Sequence, residues 1–424
     1  MKKIDFENIS INISILLYII VCCIRVYVDN LIMSNLTIVL LLGAILLLMI
    51  NMIKERKIKI VSKSYFILAL LLLLPSFYKN AYINDHIYTY FLYYFLTIIY
   101  SIMFCFSNIK KNNIQFALLL FIIFAFATGI VTWISMFNPN FYVKKIIPLM
   151  PQNNQDELIK NFLYLKGRMG LTSHYSRNAF YLILGILGSI YFLFEEKKFK
   201  WKFSIFFLSI TMLIIGKRGH FIFLVISLLL SYFIFFRINV KTIAKLFFCI
   251  CIIGAILFFS AKIQPEINNT FKRFYENENS DISNGRFEMY SDAWNMFKNS
   301  GYIGIGWNGY ASNTNYLHPG VHNDYIQILC ESGIIGFILV IGSNLYILRK
   351  SRYYARKKQN SLSFIILTYN IFFLCYSLTG LPHFDVETYM YYFLINCILF
   401  NIDDSNIQFE KVLKPNKQNK EIEA

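Results

Sequence analysis

Ile114-Gln-Phe-Ala-Leu-Leu-Leu-Phe-Ile-Ile-Phe-Ala-Phe-Ala-Thr-Gly-Ile-Val-Thr-Trp-Ile-Ser-Met-Phe137 is a run of 24 residues without one charged side chain. At about 1.5 Å of helix per residue it can cross a hydrocarbon layer of ~30 Å, which needs about 20 residues. Runs of this kind recur from one end of the chain to the other. They predict an all-α integral membrane protein with about twelve transmembrane helices, near residues 11–28, 33–53, 61–77, 86–106, 114–137, 178–194, 203–215, 221–236, 242–263, 325–348, 362–377 and 387–402. Composition agrees: the 424 residues are 57% hydrophobic, 18% aromatic and only 15% charged, too apolar for a soluble globular chain. The expected organisation is one polytopic membrane domain over residues 1–402, with a large outer loop at 264–324 inside it and a polar tail at 403–424.

The formal net charge of +17 is spread among connectors. Lys54, Arg56, Lys57, Lys59 and Lys63 follow the second span, Lys110 and Lys111 the fourth, and Lys197, Lys198, Lys200 and Lys202 the sixth. Arg237, Lys241 and Lys245 follow the eighth, and Arg349, Lys350, Arg352, Arg356, Lys357 and Lys358 the tenth. Basic residues near helix ends stay on the cytoplasmic side, so these connectors and both termini are expected there, with the chain in the cytoplasmic (inner) membrane. A dispersed charge of this kind excludes a nucleic-acid-binding domain. The first apolar run lacks a small-residue cleavage site and is followed at once by a second span, so it reads as a helix rather than a signal peptide. All eight cysteines fall in apolar runs without paired spacing in an exposed loop, which argues against disulfides and zinc; neither a metal nor a cofactor is expected.

Two connectors on the predicted outer side are long, residues 138–177 and 264–324, and long loops on compact scaffolds commonly carry function. Within the second, residues 286–297 place Phe287, Tyr290, Ala293, Trp294 and Phe297 on one helical face with Glu288 and Asp292 opposite. This reads as an amphipathic helix at the membrane surface, capped by Ser283 or Asn284. Arg286 then sits in the first turn, where the helix dipole disfavours a cation unless an anion is bound; a solvated arginine is the plain alternative. Gly301-Tyr-Ile-Gly304-Ile-Gly306-Trp-Asn-Gly309 has no preceding strand, so it reads as a tight turn and not as a nucleotide fingerprint. Gly216-Lys217-Arg218-Gly219-His220 caps a hairpin between the seventh and eighth spans. Lys and Arg at helix ends commonly snorkel to the interface, yet the inside bias disfavours them in a short outward turn unless an anionic ligand is held there.

His318-Pro-Gly-Val-His322-Asn323-Asp-Tyr-Ile-Gln-Ile-Leu-Cys-Glu331-Ser-Gly333-Ile-Ile-Gly336 brings ionisable groups to the point where a polar segment re-enters an apolar helix. Pro319-Gly320 breaks the helical spacing that a metal pair of His318 and His322 would need. His322 suits a general base at an aqueous mouth, against the plain reading of a surface histidine. Asn323 or Asp324 would cap the following helix, and Gly333 and Gly336 would let it bend. Glu331 inside that helix needs a partner, either loop backbone or an arginine.

Four of these segments together resemble the O-antigen polymerase and ligase superfamily, which includes Wzy-type polymerases of surface polysaccharides. They are Gly167-Arg168-Met-Gly170, then Gly216-Lys-Arg218-Gly219, then Asn284-Gly285-Arg286 through Trp294 to Gly304-Ile-Gly306, and His322-Asn323-Asp324-Tyr325 through Glu331-Ser-Gly333-Ile-Ile-Gly336. They span roughly residues 165–345; the first half of the chain contributes only its helix count. The resemblance implies an inverting, metal-independent glycosyltransferase acting on the outer face of the cytoplasmic membrane. The donor would be an oligosaccharide carried on a polyprenyl (undecaprenyl) pyrophosphate, and a chain-length regulator would be a partner. It implies His322 as the base and Arg218, Arg286 and Arg168 as pyrophosphate ligands, with Lys217, Asn323 and Glu331 in support. Arginine suits that task because it stays charged and binds phosphate oxygens in pairs. The branch favoured is the polymerase of O-antigen or capsular repeat units. The alternatives are a ligase that moves the glycan to a lipid A core, as in lipopolysaccharide, and a flippase or exporter, which should carry charges inside its spans.

Overall fold

The computed structural model describes residues 6–24, 31–55, 85–150, 152–164, 170–172, 174–236, 285–314 and 320–404. The predicted spans at 61–77 and 242–263, the tail at 403–424 beyond residue 404, and Arg168, Asn284 and His318 lie outside these residues. The other ten predicted spans are all helices: α1 (Phe6–Ile24), α2 (Leu31–Glu55), α3 (Asp85–Phe106), α4 (Lys111–Phe137), α6 (Tyr175–Glu196), α7 (Phe199–Ile215), α8 (Arg218–Phe236), α10 (Asp324–Lys358), α11 (Ser361–Tyr376) and α12 (Val386–Asp404). Among the described residues, six helices are long and apolar enough to cross a membrane, and Phe91–Phe106 and Ser361–Tyr376 are shorter apolar ones. The chain is an all-helical, multi-pass membrane protein.

The long connectors are themselves helical where they are described. Residues 139–149 form short helical turns, and α5 (Gln152–Tyr164) follows, with Leu158 buried against Tyr142 and Ile147. In the second connector, α9 (Arg286–Asn299) packs on α10. Ala293 and Phe297 are buried beside Tyr310, Val321 and Cys330, with Met289, Tyr290 and Met296 against the same cluster. The expected single apolar face of α9 is therefore split. Tyr290, Ala293 and Phe297 face protein, whereas Phe287 (74% exposed) and Trp294 (46%) form a second apolar edge turned away from it. Gly285 occupies the N-cap position in a left-handed conformation, so no side chain caps this helix.

α6 is the central helix, largely buried from Asn178 to Phe192 and packed on α4, α7 and α11. Its approach to α4 requires glycine: a Cβ at Gly185 would lie 2.2 Å from the Ala125 Cβ. Hydrogen bonds between helices satisfy polar groups within the apolar bundle, including Asn370 to Asn396 (3.0 Å), Tyr18 to the Met390 carbonyl (2.9 Å) and Ser189 with Ser204 (2.6 Å). Apolar residues on the outside of the bundle, such as Val39, Leu46 and Ile53 on α2, form the surface that lipid covers.

The two ends of the bundle differ chemically. At one end the starts of α1, α4, α7 and α11 meet the end of α6: Lys111 pairs with Glu195 (2.6 Å), Lys110 with Glu7 (3.8 Å), Lys198 with Glu196 (3.0 Å), and Ser361 donates to Glu195 (2.5 Å). The basic run from Arg349 to Lys358 extends α10 beyond its apolar part as one continuous helix. The opposite end gathers the starts of α6, α8, α9, α10 and α12, and there the candidate site lies.

Candidate functional site

α10 begins where the sequence places it. The Asn323 side chain accepts from the Ile326 N–H (3.2 Å) and caps the helix, and His322 immediately before it adopts a left-handed backbone with φ 55°. Ten residues on, the helix breaks at Gly333 (φ 67°, ψ −171°), a conformation open essentially to glycine alone. The glycine-dense segment enters that break. The Ile305 and Gly306 N–H groups donate to the Cys330 and Glu331 carbonyls (3.0 and 2.9 Å), and Ile334 N–H donates to the Tyr302 carbonyl (3.2 Å). A Cβ at Gly304 would come within 2.5 Å of the Glu331 carbonyl oxygen, which accounts for glycine there.

Glu331 takes the loop-backbone alternative. Its carboxylate accepts from the Asn308 N–H (2.8 Å), the Tyr310 N–H (3.4 Å) and Gln327 Nε2 (3.2 Å). Gln327 in turn accepts from the Val321 N–H (3.0 Å), so one side-chain bridge ties the strand of backbone leading to His322 to the loop that supports α9. Tyr310 completes the link by packing under α9. Arg286 at the first residue of α9 and His322 before α10 are thereby held on one framework.

Around them the cations converge. Lys217, half-buried at the tip between α7 and α8, has its ammonium lowered to about 8, first by desolvation and then by the neighbouring charge of Arg286. Among the described residues neither Lys217 nor Arg286 has an acidic partner. Two cations that repel each other at the starts of two helices, whose dipoles add further positive potential, define a place for an anion. Arg218 begins α8 beside them, with its side chain outside the described positions, as the whole of Arg168 is.

His174, just before α6, belongs to the same cluster. Crowding by protein lowers its imidazole to about 4, helped by Arg177, Lys217 and His322 and opposed by Asp385. The acids lie with α12: Arg177 pairs with Asp385 (3.1 Å) and Glu387 (3.6 Å) and, with Ser176, Thr388 and the rings of Phe180 and Tyr391, lines a small cavity between α6 and α12. Burial alone would raise the Asp385 carboxyl, but Arg177 and a hydrogen bond from Thr388 outweigh it and hold the group well below the usual carboxylate range. The mouth is thus polarised, with Lys217 and Arg286 together, Asp385 and Glu387 paired to Arg177, and His174 within reach of Lys217, Asp385 and His322.

The structure brings together His322, Arg286, Lys217, Asn323 and Glu331 from the sequence reading. It adds His174, Arg177, His383 and Asp385, which that reading did not select, because each is a lone polar residue next to an apolar helix. Their signal was a histidine or acid within two or three residues of a span's start, repeated at α6 and α12.

The fold defines a multi-pass helical membrane protein, and at one end of the bundle cations and imidazoles line a polar mouth. A family model described as O-antigen ligase matches residues 203–341, from α7 to the middle of α10. The match includes Lys217, Arg218, Arg286, His322, Asn323 and Glu331, and leaves His174, Arg177, His383 and Asp385 outside it. The match covers about a third of the chain and supports a likeness to the O-antigen polymerase and ligase superfamily and a function of that type. A comparison with curated proteins gives no match.

Proposed function

We propose that the protein polymerises lipid-linked oligosaccharide repeat units, transferring a growing glycan from its polyprenyl pyrophosphate carrier to the next unit at the outer face of the cytoplasmic membrane. The observation that carries this reading is the meeting of Lys217 and Arg286, unpaired among the described residues, beside His322 at one end of the bundle. The cations hold the pyrophosphate, Arg218 joins them from the first turn of α8, and Arg168 adds a further contact.

The reaction needs no cofactor. His322 takes the proton of the acceptor hydroxyl as its oxygen attacks the anomeric carbon from the face opposite the pyrophosphate. The carbon–oxygen bond to the carrier breaks, and the electron pair leaves on the lipid pyrophosphate. Charge builds on that leaving group in the transition state, so fixed cations aimed at it stabilise the transition state more than the ground state. The anomeric configuration inverts.

A second reading has its own support, since the matched family is described as O-antigen ligase. A ligase would use the same base and the same leaving group with a lipid A core as acceptor. One experiment tests both: a gel of surface glycans from cells lacking the protein, complemented with wild type or with His322→Ala, Arg286→Ala or Arg218→Ala at verified expression. Loss of the ladder with single repeat units still attached to the core, restored by wild type alone, is the result expected of a polymerase. Loss of all attachment would make the protein a ligase, and an unaltered ladder in the deletion strain would remove both readings.

A further inference from the structure

Directly behind His322 lies a buried acid–imidazole pair that helix capping does not require. Asp324, the first residue of α10, is fully buried although Asn323 already caps the helix. Every hydrogen bond to its Oδ2 comes from the connection between α11 and α12: from Ser377 Oγ (3.1 Å), from the His383 N–H (3.3 Å) and from the His383 ring through Nδ1. Its own N–H donates to the Ser377 carbonyl (2.9 Å). His383 is itself buried and anchored. Asn344 Nδ2 faces its Nε2 (3.0 Å), Tyr392 donates to Asn344 Oδ1 (2.8 Å), and Tyr94 donates to the His383 carbonyl (2.7 Å). With Nε2 accepting from Asn344, Nδ1 carries the proton toward Asp324, which fixes one tautomer.

A carboxylate removed from water at the start of a membrane helix is costly unless its partners are well placed, so it calls for a role. The placement supplies one. His322 lies two residues upstream in a left-handed conformation, and its direction is set by where the start of α10 is fixed. The loop that fixes it continues into Asp385, the partner of Arg177 on α6. The pair therefore joins the α10 side of the mouth to the α6 side.

We propose that Asp324 and His383 are positioning residues that hold His322 against the acceptor hydroxyl, an inference that rests on His322 acting as the base. Lys217 and Arg286 sit on other elements, so the pair should govern turnover rather than donor binding.

The test uses full-length protein in lipid vesicles with a polyprenyl-pyrophosphate oligosaccharide as donor, and kcat and KM are measured for Asp324→Asn, His383→Ala, His383→Asn and His322→Ala. Displacing a reacting group by about 1 Å costs about 100-fold in rate. A fall in kcat of about that size is expected for Asp324→Asn and His383→Ala, with KM for the donor unchanged; the melting temperature should fall in His383→Ala, which leaves Asp324 buried without its imidazole partner, and less so in His383→Asn. His383→Asn, whose amide can replace the Nδ1 donor, should recover most of the rate. Should Asp324→Asn not fold, the two His383 variants decide through the same comparison. Wild-type kcat in Asp324→Asn and His383→Ala, or a parallel loss of kcat and donor affinity, with His322→Ala inactive, would overturn the positioning role and leave the base in place. Turnover by His322→Ala would remove the base and the positioning role together.

Discussion

Lys217 is where the chemistry of a single residue makes the sharpest demand on the site. Desolvation and the charge of Arg286 lower its pKa to about 8 from an ordinary 10.5. In the empty site its charge therefore opposes folding: the cost is fully present below pH 8, and stability rises between pH 8 and 10.5, where the unfolded chain binds more protons. A bound pyrophosphate reverses that cost by giving the ammonium a partner, so donor affinity should be full below pH 8 and fall as pH rises past it. One unit above a pKa about a tenth of the groups remain protonated. The KM for a lipid pyrophosphate donor should accordingly rise severalfold between pH 7 and 9 in wild type and stay flat in Lys217→Arg, which keeps its charge; parallel profiles would show that Lys217 does not touch the donor. This residue was legible in the sequence because a basic pair in a short outward turn opposes the charge bias of membrane proteins. His174, Arg177, His383 and Asp385 were not legible, since a lone histidine or acid beside an apolar run acquires meaning only when α6, α10 and α12 bring their starts together. Arg286 was legible as a misfit with its helix dipole, although the cap position falls on Gly285, in a left-handed conformation, rather than on Ser283 or Asn284.

At the scale of elements, the broken helix α10 and the loop seated in it decide whether the site exists at all. The sequence placed a bend near Gly333, but not the loop that fills it, because hydrogen bonds between residues 302–306 and 330–334 leave no periodic trace. A side chain at Gly333 would need a glycine-only conformation, with its Cβ 2.1 Å from the Ile303 carbonyl oxygen. Backbone strain alone is worth on the order of 1–3 kcal/mol. Gly333→Ala should lower the melting temperature by several degrees and expose residues 301–313 to limited proteolysis. Gly342→Ala further along the same helix, with nothing within 4 Å, should leave both unchanged or raise stability slightly. Equal melting curves for the two variants would mean that the loop does not lean on the break. Glu331→Ala should give the same proteolytic pattern by leaving the Asn308 and Tyr310 N–H groups without their acceptor, at about 1–3 kcal/mol per buried group. α9 shows how helical periodicity can be right while the assignment of faces is incomplete. Its spacing marked an apolar stripe, yet Met289 and Met296 join Ala293 and Phe297 on the protein side and release Phe287 and Trp294 to the surface. That edge is suited to the interfacial region of a bilayer, and a spin label at position 287 should be relaxed by a lipid-soluble quencher more than by a water-soluble one.

For the whole molecule, the decisive property is that its two ends are not alike. Lys110, Lys111, Lys198 and Lys200 gather with Glu7, Glu195 and Glu196 at one end, in pairs that are solvated except at the largely buried Glu195. Lys217 and Arg286 stand at the other end with no acidic partner among the described residues, although Asp385 and Glu387 lie at the same mouth in pairs with Arg177, and that asymmetry suits a one-sided enzyme more than a conduit. Hydrophobic runs alone made ten of the helices legible, because burying the backbone in lipid leaves helix as the only economical form for an open chain. The bias of basic residues supports the proposed orientation, in which the crowded end faces the cytoplasm and the site lies outside. This orientation is testable without reference to activity. In a variant with the native cysteines replaced, a cysteine at position 198 should react with a membrane-impermeant maleimide only after spheroplasts are permeabilised, whereas one at position 295, exposed on the polar face of α9, should react in intact spheroplasts. The two positions lie at opposite ends of the bundle, so their labelling must be complementary whichever way the protein is inserted. The reverse pattern would put Lys217, Arg286 and His322 in the cytoplasm, where a donor delivered to the outer leaflet could not reach them, and transfer at the outer face would have to be abandoned whatever the gel of surface glycans showed.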